Sequence, residues 1–150
     1  MNAKHYRSGY LRACDRVQDL LSKFGIQRAP VPIHDICQAH GLRVVTGGTG
    51  VRRGLLDRSS STIRVAPFPQ VRQRFYIAHE FAHFVLPKHY GEASCSTFAS
   101  CLLIPHEWII EDLRTMAPNV LAGHYEVTWP VMQRRLRLGG LDAIQTELPF

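Results

Sequence analysis

No apolar run in the sequence approaches the roughly 20 residues that a membrane-spanning helix needs. Residues 1–10 are polar and basic, with no apolar leader region, so neither a membrane protein nor an obviously secreted one is expected. A C-x-x-C pair is missing as well. The four cysteines (Cys14, Cys37, Cys95, Cys101) are scattered, and Cys95 and Cys101 stand six apart in a helical-looking stretch, on different faces. That spacing argues against a disulfide framework, reads the thiols as small buried hydrophobes and points to a cytoplasmic protein. Internal repeats and low-complexity segments are absent too, which excludes solenoids and disordered tails. What is present is 150 residues, 45% hydrophobic, enough for one domain with a real core. The net charge of +6, mostly arginine, permits contact with nucleic acid or an acidic protein without establishing either.

Periodicity predicts a first amphipathic helix over Leu11 to Phe24, with Leu11, Cys14, Val17, Leu20, Leu21 and Phe24 at three- and four-residue steps before Gly25. A short helix fits Ile33 to His40, entered through Pro32 and closed by Gly41. Leu42 to Thr46, Arg53 to Asp57 and Thr62 to Ala66 then read as three strands of a small antiparallel sheet. After Pro67 and Pro69 a long helix, about Val71 to Leu86, is apolar nearly all round and belongs in the middle of the protein. Another runs from about Glu92 to Leu103 and stops at Pro105, and two or three more follow. Thr128 offers an N-cap to the last of them. The expected fold class is α+β: one helix-rich domain over residues 1–150, with a core over 11–119 and a C-terminal helical portion over 120–141.

The long helix contains His79-Glu80-Phe81-Ala82-His83, the H-E-x-x-H pattern. Histidines at i and i+4 stack on one helical face and can reach one cation. Glu80 is turned about 100° away around the axis, beside the cation rather than on it. It is then placed as a general base, taking the proton of a zinc-activated water as that water attacks a peptide carbonyl. The alternative is two core histidines hydrogen-bonded to backbone. It leaves three titratable groups on one apolar helix, each costly without a partner.

A catalytic zinc takes three protein ligands and an open fourth position. Two residues compete for the third place. His89 lies six residues after His83, but Leu86 and Pro87 stand where a chain turning out of the helix would want glycine. Glu92 opens the next helix, and a turn from Pro87 to Gly91 would bring it back beside His83. Glu92 is preferred, with Ser96 four residues on and sharing its face, within reach of a ligand.

The segment Arg74-Phe75-Tyr76-Ile77-Ala78-His79-Glu80-Phe81-Ala82-His83 resembles the R-F-T-x-A-H-E-x-x-H segment of the ImmA/IrrE family of metallo-endopeptidases. Phe98-Ala99-Ser100-Cys101-Leu102-Leu103-Ile104-Pro105 is similar to that family's F-A-x-x-L-L-M-P segment. Pro30-Val31-Pro32-Ile33 through Gly41-Leu42, and Tyr125-Glu126-Val127-Thr128 with Arg135-Leu136, are similar to its outer motifs. Phe81-Ala82 stands where the family commonly has Leu-Gly, and Cys95-Ser96 where it has Ala-Asn. The resemblance implies a zincin-like, gluzincin-type fold holding one Zn2+ per chain, with His79, His83 and Glu92 as ligands and Glu80 as base. It also implies a protein substrate, a separately encoded helix-turn-helix repressor of a mobile element, prophage or stress response.

The last segment offers a different class of function. Residues 120–140 have a helix-turn-helix cadence, with Arg134, Arg135 and Arg137 on the final helix. Three arginines make only a short stripe, so a packed helical pair with a solvated basic face is preferred to DNA contact. A zinc-containing interaction module without proteolysis is the remaining alternative. Tyr90 and His106 are weak candidates for donors to a developing oxyanion. Trp108 and Trp129 are expected in the core or lining a groove.

Overall fold

Three helices packed on a fourth, with a small sheet laid against one of them, make up the computed structural model, which describes residues 3–142, with side chains from residue 9 onward. The ends of the expected domain, residues 1, 2 and 143–150, lie outside the described residues. The element order is α1 (Ala3–Lys23), α2 (Ile33–Ala39), β1 (Arg43–Thr46), β2 (Gly54–Asp57), β3 (Thr62–Val65), α3 (Gln70–Val85), α4 (Glu92–Leu103), α5 (His106–Asp112), α6 (Pro118–His124) and α7 (Trp129–Leu138).

Helix α1 starts eight residues before its first predicted apolar position, because the polar stretch ahead of Leu11 contains no proline to stop it. Its buried stripe is Tyr10, Ala13, Val17 and Leu21, and Leu11 is half exposed. The stripe is therefore rotated by about one residue from the expected one.

The sheet is mixed, not antiparallel. β2 and β3 form an antiparallel hairpin through the turn at Arg58–Ser61, whereas β1 lies on the far side of β3 and pairs with it in parallel. Local reading pairs neighbours in sequence. Here residues 47–53 carry the chain past β3, helped by Gly47, Gly48 and Gly50 at positive φ, where a side chain would be strained. β2 is left as an edge strand.

The most enclosed helix is α4, not α3. Cys95, Ser96 and Phe98 to Leu103 are all buried, and α1, α3 and α7 pack around them. Small alanine, serine and cysteine side chains permit that close approach. On α3 only Arg74, Ile77, Ala78, Phe81 and Ala82 are buried, which leaves one long side of the helix open. The buried Arg74 fixes that helix in place. Its Nε donates to the Glu126 carbonyl at 3.0 Å and its Nη2 to the Val31 carbonyl at 2.9 Å.

Helix α7 begins after Thr128, but the threonine side chain makes no capping bond. Arg135 corrects the expectation of a solvated basic face, since it is fully buried and its Nε donates to the Ile104 carbonyl at 2.8 Å. Of the three arginines only Arg137 is exposed.

Candidate metal centre

The open side of α3 carries His79 and His83 one turn apart, and the loop 86–91 turns the chain so that the first residue of α4 meets them. His79 Nε2 lies 2.7 Å from Glu92 Oε2, His83 Nε2 lies 3.0 Å from Glu92 Oε1, and the two Nε2 atoms are 3.2 Å apart. Two imidazole lone pairs facing each other at that distance repel unless a proton or a cation sits among them. The two imidazole side chains are 13% and 24% exposed and the Glu92 side chain is 80% exposed, so the centre opens to solvent on the carboxylate side.

The far nitrogens of both rings are held by α4. His79 Nδ1 is 3.0 Å from Ser96 Oγ, and His83 Nδ1 is 3.4 Å from Cys95 Sγ. Coordination through Nε2 requires the ring proton on Nδ1, and in that tautomer each Nδ1–H donates to its α4 partner. Glu92, Cys95 and Ser96 stand at i, i+3 and i+4, so one helical face supplies the carboxylate and both ring partners. Ser96 was legible from that spacing. Cys95, read as an ordinary buried thiol, was not, because nothing local distinguishes it.

Glu80 sits beside the cluster. Burial raises its carboxyl above the ordinary range; the imidazoles of His79 and His83 oppose the rise, Glu92 adds to it, and the Leu56 N–H donates to the carboxylate. The strand comes this close because of Gly54, where an added Cβ would meet Glu80 Cγ at 3.0 Å and Tyr76 Cβ at 3.4 Å. A glycine in a strand marks such a close approach of backbone. The hairpin is tied down at its other end by Arg58, whose Nη2 donates to the His83 carbonyl at 2.7 Å.

Of the four residues expected at the site, His79, His83 and Glu92 come together in one cluster and Glu80 lies beside it. The other candidates lie elsewhere. His89 is exposed and stacks on Tyr90, and Tyr90 lies beneath Arg16 of α1. His106 lies 2.8 Å from the Tyr10 hydroxyl. Trp129 is 42% exposed rather than core. An open cavity of about 530 Å³ between α3 and α7 adjoins the centre, lined by Phe75, Tyr76, Val131, Arg72 and Arg134 among others. The Phe75 ring is 6.3 Å from that of His79.

Comparison with known proteins agrees with this geometry. The model of the IrrE N-terminal-like domain, a peptidase family, matches residues 37–137, which include both histidines, Glu80 and Glu92. No curated protein matches the sequence significantly. Among solved structures, a Mycobacterium tuberculosis transcriptional regulator shares the fold with a TM-score of 0.69 at 14% identity. The match covers 91% of this chain and 51% of that one, so the chain spans about half the length of its structural relative.

Proposed function

The chain belongs to the family of IrrE N-terminal-like domains, and from that premise we propose that it is a zinc-dependent endopeptidase acting on a partner protein. The observation that carries the proposal is the convergence of His79 Nε2, His83 Nε2 and the Glu92 carboxylate, with Glu80 alongside. Two imidazoles and one carboxylate suit zinc. Ligand atoms about 2.0–2.1 Å from a tetrahedral ion stand roughly 3.3–3.4 Å apart, and the atoms here are separated by 2.7 to 3.2 Å. Zinc in such a site supplies Lewis acidity, polarising a carbonyl and making water acidic near neutral pH.

The chain's own residues do the rest. Ser96 and Cys95 orient the imidazoles, and Glu80 takes the proton from the attacking water and passes it to the leaving amine. A half-buried carboxylate with a raised affinity for protons suits that exchange. β2 offers a place for the substrate. The Arg53 carbonyl accepts from the Ala66 N–H across the hairpin, which fixes the alternation along the strand and turns the Gly54 backbone groups and the Leu56 carbonyl to the open edge. An extended peptide added to that edge lies along α3, its carbonyl near Glu80. The neighbouring cavity, with Phe75, Tyr76, Arg72 and Arg134, then receives a substrate side chain.

The substrate we infer is a separately encoded helix-turn-helix repressor, cut at one site in the cytoplasm. The resemblance to the ImmA/IrrE metallo-endopeptidases supports it, as does a structural relative that is itself a transcriptional regulator. Co-expression of the chain with a neighbouring repressor tests the proposal. The expected result is a shortened repressor with the wild-type chain and an intact one with Glu80→Gln. A phenotype that survives Glu80→Gln would make the chain a zinc-containing interaction module instead.

A further inference from the structure

The cavity between α3 and α7 combines apolar walls with positive charge. Arg72 reaches it from the first turn of α3 and Arg134 from the second turn of α7, with Phe75, Tyr76 and Val131 as apolar lining. Among the described residues neither guanidinium has a carboxylate partner, and no carboxylate lines the cavity. Glu126, close in sequence to Thr128 at the rim, is turned to Arg74 instead, with Oε2 3.9 Å from Nε. Arg72 is held by stacking. Its guanidinium carbon lies 3.9 Å from the centre of the Phe68 ring, and Phe68 packs on Tyr76 with ring centres 5.6 Å apart. A guanidinium fixed over a ring loses little further freedom when it meets an anion.

The strand side of the same end is basic too. The Ala66 N–H donates to the Arg53 carbonyl at 2.8 Å, and Gln73 Nε2 donates to the Ala66 carbonyl at 2.9 Å. These bonds set the start of β2 against the first turn of α3, where Arg52 and Arg53 are both exposed. At the other end Arg58 Nη2 donates to the His83 carbonyl at 2.7 Å, while Asp57 and Glu92 carry negative charge. Charge along the groove between β2 and α3 is therefore polarised, positive beside the first turns of α3 and negative beside its end.

We propose, on the reading of the chain as a peptidase, that its substrate carries acidic side chains on one flank of the cut bond, received by Arg72 and Arg134. Side chains alternate along an extended peptide, so residues two apart on that flank turn together toward the cavity. A space of about 530 Å³ admits more than one carboxylate side chain. Its apolar walls strengthen each ion pair by excluding water, and a guanidinium that takes a carboxylate bidentately adds direction to charge. In a helix-turn-helix repressor the cut then falls outside the DNA-contacting face, which is basic in order to hold phosphates.

Fluorescence anisotropy with the zinc-loaded Glu80→Gln chain, used so that no probe is cut, tests the assignment. The probes are two blocked, fluorescein-labelled peptides of one Val-Thr background, with Glu at alternate positions of one and Gln at the same positions of the other. The Glu peptide should bind about three- to tenfold more tightly, the effect of one or two partly exposed ion pairs. That preference should fade as salt rises from about 0.05 to 0.3 M, survive Arg72→Lys, and vanish when Arg72→Gln and Arg134→Gln are combined. Neither arginine belongs to the core, so the double variant should fold and keep its zinc. The wild-type chain, given a random peptide library, should cut with Asp or Glu enriched on one flank only. Equal binding of the two peptides, a preference untouched by the double variant, or cutting without acidic enrichment would overturn the proposal. So would a DNA duplex that displaces the Glu peptide and weakens in the same variant, since the arginines would then serve phosphates. Selection of Glu without any cutting would sustain the charge preference and remove the peptidase reading instead.

Discussion

Glu80 and Glu92 are carboxylates beside the same two imidazoles, yet their surroundings assign them different work. Glu92 projects from the start of a helix into solvent and makes short contacts with both rings, which suits a ligand. Glu80 is half-buried, receives the Leu56 N–H and is pushed toward protonation, which suits a base. Glu80→Gln should therefore lower cleavage by about 10²- to 10⁴-fold, the usual contribution of a general base, while zinc content stays at the wild-type level. Ser96→Ala removes the partner of His79 Nδ1 and leaves every proposed ligand in place. Its zinc affinity should fall about 10- to 100-fold in competition with a chelator, and an unchanged affinity would deny Ser96 its orienting role. At this scale much was legible, because i and i+4 positions on a helix share a face whatever the rest of the chain does. Arg135 was not legible. A third arginine in a basic stretch looks solvated until the packing of α1, α4 and α7 encloses it.

Among the elements, the strand beside the site depends on Gly54. Gly54→Ala puts a methyl group 3.0 Å from Glu80 Cγ, so either the strand or the base must shift. Cleavage should fall at least about tenfold, since misplacing a catalytic group by a fraction of an ångström is costly. Zinc content should not change, because Gly54 touches none of the proposed ligands. Loss of zinc in Gly54→Ala would mean that the strand supports the whole centre rather than Glu80 alone. Helices α3 and α4 were legible to within a residue, because Pro69, Pro87 and Pro105 bracket two continuous apolar patterns. Strand pairing was not. Whether β1 joins β2 or β3 depends on where the chain crosses after Thr46, a non-local choice that alternation along a strand does not encode. Nor was the rank of the two helices, since α4 is central through its small residues rather than through greater length or bulk.

For the whole molecule, a metal centre that joins α3 to the start of α4 couples metal binding to folding. With free zinc about a thousandfold above its dissociation constant, binding adds roughly 4 kcal/mol of stability. For a chain of 150 residues, that corresponds to a rise in Tm on the order of 10 °C. Thermal unfolding with zinc and with a chelator should show this gap in the wild type and little of it in Glu92→Ala. The family was visible in the sequence because its motifs fall on the elements that build the site, and the family match spans those same residues. If His79, His83 and Glu92 together hold one zinc, then zinc per purified chain, measured beside Glu92→Ala and His89→Ala, will show it. About one zinc is expected in the wild type, kept in His89→Ala and lost in Glu92→Ala. A folded wild-type chain that takes up no zinc when offered it, or one that loses zinc only in His89→Ala, would contradict it.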